Sequence, residues 1–401
     1  MQKPLVLLAA ILCLFAAPGV HAATPSANTT VSGGINAFAC DLYAHLRGKD
    51  GNLFFSPLSL SSALAATRAG ARGETASQMA RTLHLSADMD QTNQGFLRLL
   101  GRLNGPQHDK RLHIEIANSL WSQKNFTLHP EYVEMAKNFY GAAANTVDYV
   151  NAPAAAADRI NAWVAEKTRG RIPRLLEAPD TNTRLILINT IYFKGLWSFP
   201  FDRAATKDDI FHAPDKPVRI PFMMRTDSFN YQETQDFQML ELPYADGKFS
   251  LFVLLPAATP GALENLEEKL SPQLLTQWIK ALTRHKVQVV FPKFKLSWGP
   301  ATLNEALVSL GMRDAFSQDS ADFSGMSAQA LNPDTRLFLS DVLHQATLEV
   351  DEQGTTATAA TGVLVATKSL PLVFRADRPF LFFIRENTGG TILFLGRLTA
   401  P

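Results

Sequence analysis

Side chains able to act as nucleophiles or bases are scattered along this sequence, and none falls in a recognised catalytic motif. Ser56 and Ser59 lie in the stretch NLFFSPLSLSSALA, where a hydroxyl could attack a carbonyl carbon, but no nearby lysine or histidine stands in an activating motif. The nine histidines lack the spacing of metal ligands, and G-x-S-x-G, H-E-x-x-H, C-x-x-C and G-x-x-x-x-G-K motifs are absent. The sequence therefore predicts no familiar enzyme class, no cofactor and no metal site.

The two cysteines predict no internal disulfide. Cys13 lies in the apolar N-terminal segment, which we expect to be removed, so that Cys40 has no partner in the mature chain. No residue that would lower its pKa is evident nearby, and we interpret Cys40 as a packed thiol rather than a nucleophile.

The N-terminal stretch MQKPLVLLAAILCLFAAPGVHA has the features of a secretory signal peptide. Lys3 supplies the positive charge, Leu5–Ala17 is apolar, and Val20–Ala22 resembles a cleavage site. The apolar run of about 13 residues is too short to span a bilayer. We expect residues 1–22 to be a signal peptide and the mature protein to be secreted or periplasmic, without a membrane anchor.

Composition is that of a globular protein with a large core. The 401 residues are 46% hydrophobic and 19% charged, and the formal net charge is +1. This balance indicates neither a nucleic-acid partner nor an anionic membrane surface. No linker or internal repeat is evident, and we predict one domain over residues 23–401.

Hydrophobic periodicity predicts an α+β chain in which helices come first and most strands later. The segment opening at Ser56-Pro57 shows a helix N-cap followed by proline in the first turn. Predicted helices are Ile35–Leu46, Leu58–Ala69, Glu74–Leu83, Thr92–Leu103, Pro130–Tyr140, Ala154–Arg169 and Ala301–Leu310. Predicted strands are the runs LHIEIANSLW, RLILINTIYF, FSLFVLLP, VQVVFP, ATLEV, PFLFFI and TILFLGRL.

A ribbon near the C-terminus, DEQGTTATAATGVLVATKSLP, contains mostly small, uncharged residues. It carries no charge between Glu352 and Lys368 and no proline before Pro371. A flexible linker would favour Gly, Ser and Pro, whereas β-branched Thr and Val dominate here, so the ribbon has the composition of a strand.

Several motifs, taken in order, resemble the serpins. They are NLFFSPLSLSSALA, GARGETASQMARTLHL, LINTIYFKGLWSFPF, FPKFKL, DVLHQATLEVDEQGT and RPFLFFIRENTGGTILFLGRL, and the resemblance runs from about Ile35 to Leu398. It implies three β-sheets, about nine helices and an exposed reactive loop at about residues 352–375. It also implies an inhibitor, not an enzyme: a protease cleaves the loop, the loop inserts as a new strand, and the covalently acylated protease is trapped.

The ribbon has the residues that such an insertion needs. Gly354 supplies a hinge, and a strand that follows it turns every second side chain toward the core. Those positions are small and uncharged, as burial in an existing core requires: Thr355, Ala357, Ala359 and Thr361. Thr356 and Gly362 depart from the residues common in family inhibitors, which affects the expected efficiency rather than the mechanism.

The family's spacing from the hinge glycine places the scissile bond at Lys368–Ser369. Lys368 is the only charge between Glu352 and Arg375, which predicts a trypsin-like serine protease as the partner in the acyl complex. We expect the inhibitor to be a monomer.

The resemblance also assigns residues that control opening of the central sheet. Ser56, Ser59, Asn189 and His344 would form the polar cluster called the shutter, and Trp197 would lie at the breach, where insertion begins. Ser56 can cap its helix at the same time, and His344 and Trp197 could instead be ordinary core residues. Arg98 and Arg102 lie four apart on one helix, but two arginines alone do not support a polyanion site.

Two alternatives differ in what a protease would do to this chain. A non-inhibitory serpin, a carrier or chaperone, would be cleaved as a plain substrate, although such members usually carry bulky, charged or proline residues in the hinge. A secreted serine acyl-hydrolase would use Ser56 or Ser59, but it lacks a recognised base.

Overall fold

The structure is a computed structural model that describes residues 27–104, 112–245, 247–354 and 370–401. The described residues form nine α-helices: α1 Ala27–Leu46, α2 Pro57–Ala69, α3 Gly73–Thr82, α4 Met89–Asn104, α5 Pro130–Tyr140, α6 Pro153–Lys167, α7 Ala262–Glu268, α8 Pro272–Ala281 and α9 Asn304–Ser309. Their strands are β1 Leu53–Phe55, β2 Leu112–Gln123, β3 Ala142–Val147, β4 Leu185–Gly195, β5 Lys207–Phe211, β6 Val218–Glu233, β7 Phe237–Pro243, β8 Phe249–Pro256, β9 Thr283–Pro292, β10 Phe294–Thr302, β11 Leu339–Val350, β12 Leu372–Arg375, β13 Phe380–Glu386 and β14 Ile392–Leu398.

A five-stranded sheet in the order β10-β11-β4-β2-β3 carries the candidate site. Its central pair, β11 and β4, is parallel, whereas β4 is antiparallel to β2 on its other side. β4 is buried along nearly its whole length, as expected for a central strand that is covered on both faces.

The remaining nine strands form one continuous ladder, in the order β1-β14-β13-β8-β7-β6-β9-β12, with β5 on β6. β7 is joined to β6 only over Asn230–Glu233, at the C-terminal end of that strand. The ladder therefore has two parts that share a short junction. Counted separately, these parts and the five-stranded sheet make the three sheets expected, and the α+β class is confirmed.

The helix α2 contacts both sheets. Ser56 caps it through its side chain and Pro57 follows in the first turn, as the sequence predicts. Every residue from Pro57 to Arg68 is buried, because the helix packs against β2 and β4 of one sheet, β14 of the other, and the helices α1, α3 and α5. The small residues of α2 permit this close approach of helix and strands.

Two sequence predictions change. The helix predicted over Ala301–Leu310 covers only Asn304–Ser309, because Ala301 and Thr302 still pair with β11 at the end of β10. The helices α7 and α8 were not predicted, and neither were the strands β1, β3, β5, β6, β7, β10 and β12. Among the described residues, no helix combines the length and apolar character needed to cross a membrane.

Candidate functional site

The base of the loop, residues Asp351–Gly354, directly follows β11 and is bound to the segment after β4. Trp197 donates its indole N–H to the carbonyl oxygen of Asp351 at 2.9 Å and its main-chain N–H to the carbonyl oxygen of Gln353 at 3.1 Å. Phe201 donates its main-chain N–H to the carbonyl oxygen of Glu352 at 2.7 Å. The first residues of the predicted ribbon are therefore bound to the segment after β4.

Trp197 is buried at this point, where its ring stacks on Tyr244 with centroids 4.7 Å apart. Tyr244 in turn contacts Phe193 of β4 edge to face at 5.0 Å. The structure thus places Trp197 where β4 and β11 end side by side, as the breach assignment requires. Its part in insertion stays a prediction.

Glu352 is a loop-base residue that the sequence did not single out. Its side chain is only 5% exposed, and it accepts hydrogen bonds from Lys293 at 3.0 Å and from the Thr206 hydroxyl at 3.1 Å. Burial alone would raise the pKa of Glu352, but a backbone hydrogen bond, Lys293 and Thr206 outweigh it and hold the pKa below its ordinary value. Glu352 therefore stays ionised and ties the loop base to the segment between β9 and β10.

Gly354 can only be glycine in this conformation. Its φ is +73°, and a Cβ atom would lie 2.3 Å from the carbonyl oxygen of Gly195 and 2.4 Å from the main-chain nitrogen of Trp197. The hinge predicted at Gly354 thus lies shortly after the end of β11, packed against the segment that follows β4. The other predicted hinge residues and the scissile pair lie outside the described residues: Thr355, Ala357, Ala359, Thr361, Lys368 and Ser369.

The boundary between the neighbouring strands β4 and β11 is the seam, and the loop base lies at its end, after the last residue of β11. The two strands pair in parallel from Leu339 opposite Leu185 to Leu348 opposite Phe193. Asn189 and His344 are Cα partners in this ladder, and their side chains are 2.5 Å apart, from Asn189 Oδ1 to His344 Nδ1. A side-chain hydrogen bond therefore crosses the seam.

The structure brings all four predicted shutter residues together under the seam. Ser56 donates its main-chain N–H to His344 Nε2 at 3.2 Å and its hydroxyl to the carbonyl oxygen of Leu393 at 2.6 Å. Asn189 donates through Nδ2 to the hydroxyl of Ser59 at 2.5 Å. All four shutter residues have no exposed surface.

Asn118 of β2 is a fifth member of this cluster that sequence reasoning missed. Its Oδ1 accepts from Asn189 Nδ2 at 2.5 Å and from the Ser59 hydroxyl at 3.3 Å, whereas its own Nδ2 is buried without a partner among the described residues. Asn118 therefore joins β2 to the hydrogen-bond network that links α2 with the seam. The signal was present: Asn118 interrupts the apolar alternation of Ile114, Ile116 and Leu120.

His344 is held as a neutral imidazole. Its Nε2 accepts the Ser56 N–H, so the ring proton must be on Nδ1, which donates to Asn189. Complete burial lowers its pKa from 6.5 to about 3, because the imidazolium would lose its hydration. A proton on Nε2 would also face the Ser56 N–H.

Acidification is expected to destabilise the protein through His344. The unfolded chain binds a proton near pH 6.5 and the folded chain only near pH 3, so this stabilisation is complete above pH 6.5 and is lost as the pH falls from 6.5 toward 3. Between pH 7.5 and 5 the loss should be about 2 kcal/mol. The free energy of unfolding in urea should be measured against pH for the wild type and for His344→Gln, which can keep both hydrogen bonds but does not titrate. We expect the wild type to lose about 2 kcal/mol more than the variant between pH 7.5 and 5. Parallel pH profiles would contradict it.

The buried serines do not form a hydrolase site. Ser56 and Ser59 are fully buried, and Ser56 presents its main-chain N–H rather than its hydroxyl to His344. No carbonyl substrate can reach either hydroxyl without unfolding of the surrounding core, so the geometry argues against the acyl-hydrolase alternative.

The remaining candidate residues also take structural places. Cys40 is buried, and burial, with a smaller effect of Asp41, raises its pKa to about 12, which makes it a poor nucleophile. Arg102 lies 3.6 Å from Glu386, and Arg98 is exposed on the same helix. In the described ranges, no group of three His, Cys, Asp or Glu side chains is placed to hold a metal ion.

Comparison with known proteins agrees with this geometry. Residues 34–401 match the family model described as Serpin (serine protease inhibitor). A serpin-like protein of Thermococcus kodakarensis is 39% identical over 92% of this chain and 85% of its own length. Leukocyte elastase inhibitor of Xenopus tropicalis is 38% identical over 91% of this chain and 97% of its own length. Solved structures show the same fold. Mouse protein-Z dependent protease inhibitor gives a TM-score of 0.83 at 30% identity, covering 94% of this chain and 98% of its own. Human thyroxine-binding globulin gives a TM-score of 0.84 at 29% identity, and the match covers 94% of this chain and 99% of that protein. This chain therefore belongs to the serpin family.

Proposed function

We propose that this serpin is a suicide-substrate inhibitor of trypsin-like serine proteases that is cleaved at Lys368–Ser369 and traps the acyl-enzyme by inserting its loop into the seam. The observation that carries the proposal is the continuity of β11, the loop base and Gly354 at the mouth of the seam. A chain that turns back there runs antiparallel to both β4 and β11 and can pair with each of them.

The intact loop is tied at both ends. Residues before it are bound to Trp197 and Phe201, and residues after it enter β12, where Leu372–Arg375 pair with β9 in the other sheet. A fully inserted strand needs one of these ends free. Cleavage near the second end would release the ribbon while leaving it attached to β11.

The chemistry begins as ordinary proteolysis. The serine Oγ of the protease attacks the carbonyl carbon of Lys368, the bond to Ser369 breaks, and the Ser369 amine leaves with the proton supplied by the protease's histidine. An ester then joins Lys368 to the protease. Water would normally hydrolyse it, but insertion of roughly 14 residues carries the attached protease roughly 45 Å and distorts its active site before that step.

Insertion is favoured by the hydrogen bonds it creates. One parallel ladder between β4 and β11 is lost, and two antiparallel ladders replace it, so each inserted residue gains on the order of 1 kcal/mol net. The inward side chains predicted at Thr355, Ala357, Ala359 and Thr361 are small enough to enter without a buried charge.

Mixing the protein with trypsin should give a covalent complex on a denaturing gel. We expect a band near the summed masses that survives boiling, because an ester joins the two chains. The same mixture with trypsin whose active-site serine is blocked should show no such band. Clean cleavage of the loop without a complex would favour a non-inhibitory serpin, the second candidate, and would exclude the proposed mechanism.

Arginine at Thr355 should convert the inhibitor into a substrate. That side chain is predicted to enter the sheet first and to face the core, where a charge has no partner, so insertion slows and the protease completes deacylation. We expect Thr355→Arg to raise the number of inhibitor molecules cleaved per complex formed by about tenfold or more, since the buried charge costs several kcal/mol.

The matched control is Thr356→Arg, which places the same charge on the outward face. It should leave the ratio of cleaved inhibitor to complex near the wild-type value. Equal effects of the two substitutions would show that the predicted alternation along the ribbon is wrong.

The compartment and oligomeric state belong to the same proposal. Residues 1–22 would be removed on export, so that the mature chain begins at Ala23 and acts as a secreted or periplasmic monomer. N-terminal sequencing of the exported protein tests the cleavage site.

A further inference from the structure

A cleft of about 900 Å³ is lined by residues outside the seam and the loop base. It lies between the C-terminal end of α2, the helix α3, the start of α4 and Met135 of α5. Its volume falls within the range of small-molecule sites. None of its lining residues belongs to the shutter or to the loop base.

The polar part of the lining is basic. Arg68, Arg72, Arg81 and His84 line the cleft, whereas none of the described aspartates and glutamates does. Arg81 is paired with Glu74 at 2.5 Å, and His84 lies 2.6 Å from Asp41, so both side chains have acidic partners outside the cleft. Arg68 and Arg72 bind neutral oxygens instead, and neither forms an ion pair within the described part of the chain.

Arg68 is the unusual residue. It is only 3% exposed, donates to the Ala87 carbonyl oxygen at 3.0 Å and to the Thr92 hydroxyl at 3.4 Å, and has its Nε buried without a partner among the residues that the structure describes. Burial lowers its pKa, and the Tyr140 hydroxyl offsets this effect only in part. A buried guanidinium without a carboxylate is costly, and an anion beside it would remove part of that cost.

Two further features suit an anion with an apolar body. Gly73, at the start of α3, lines the cleft, and among the described residues no side chain caps this helix, so its positive end faces the same space, while Glu74 in the first turn is paired with Arg81. Much of the other lining is apolar, including Leu85, Met89 and Met135. Methionine side chains adapt readily to ligands of varied shape.

We propose that this cleft binds a small amphipathic carboxylate, with its head group beside Arg68 and Arg72 and its apolar chain against Leu85, Met89 and Met135. The planar carboxylate matches the geometry of a guanidinium and supplies the counter-charge that Arg68 lacks. The inference goes beyond the proposed inhibition and does not depend on it.

Calorimetric titration of the intact, uncleaved protein tests the proposal. The probes are decanoate, its neutral counterpart decanol, and inorganic phosphate as an anion without an apolar body. We expect decanoate to bind at one site, and decanol and phosphate to bind about tenfold more weakly or not at all, because each lacks one of the two interactions.

Matched variants locate the site. Arg68→Met keeps the length and the packing of the side chain but removes its charge, and should weaken decanoate binding about tenfold or more. Arg203→Gln removes an exposed arginine outside the cleft and should leave the affinity unchanged. Should Arg68→Met fail to fold by circular dichroism, the exposed Arg72→Gln replaces it, with the same expected direction.

Three results would overturn the proposal: no decanoate binding, equal binding of decanol or phosphate, or unchanged affinity in the folded Arg68→Met and Arg72→Gln variants. Because no protease is present in this titration, none of these results tests the proposed inhibition. A failure of inhibition would likewise leave the decanoate titration as a valid test of the cleft.

Discussion

Cleavage of the reactive loop is expected to raise the unfolding temperature of this serpin by roughly tens of degrees. Residues 355–369 connect β11 to β12 in the sequence, and under the proposed mechanism the cut would release them to pair with β4 and β11. A typical stabilising contact of about 1 kcal/mol shifts the midpoint by only a few degrees in a protein of this size. A whole new central strand adds many such contacts at once.

Differential scanning calorimetry of the intact and loop-cut protein measures this shift. The cut should be made by a protease that does not remain attached, and both samples should be scanned at the same rate, since unfolding of large proteins is often irreversible. Thr355→Arg, cut in the same loop, is the control, because its buried charge should reduce the shift. Equal midpoints for intact and cut wild type would contradict loop insertion.

The parts of the fold that local patterns determine were predictable. The Ser56-Pro57 signal fixes the start of α2, and the apolar runs of β8, β13 and β14 are long enough to be recognised as buried strands. β6 was not recognised because it has no regular alternation: buried and half-buried side chains follow each other irregularly where it changes partners from β5 to β7.

The candidate site was predictable only in part, for a similar reason. Ser56, Ser59, Asn189 and His344 were assigned by family resemblance, and the structure brings them together over sequence separations of more than a hundred residues. Asn118 and the pair of Glu352 with Lys293 were missed. Their contacts depend on the register of β2 against β4 and on the path of the chain after β9, neither of which local periodicity encodes.

Lys368→Glu is expected to abolish inhibition of trypsin. Lys368 is the only charge between Glu352 and Arg375, so it is the single attractive anchor in the loop for a specificity pocket that holds a buried aspartate. Glutamate there would bring two carboxylates together, and repulsion would reduce the rate of complex formation by several orders of magnitude, since an unpaired buried charge costs several kcal/mol. The charge change falls outside the ribbon's hinge, so insertion itself should remain possible.

Lys368→Leu distinguishes lost specificity from lost inhibition. Leucine fits an apolar specificity pocket, so this variant should form complexes with chymotrypsin-like proteases and no longer with trypsin. Such complexes would show that the loop can still insert. In the wild type, mass spectrometry after reaction with trypsin should find a C-terminal fragment that begins at Ser369. A dominant cut elsewhere between Gly354 and Leu370 would disprove the assigned scissile bond, and trypsin inhibition that persisted in Lys368→Glu would disprove the role of Lys368 as the anchor.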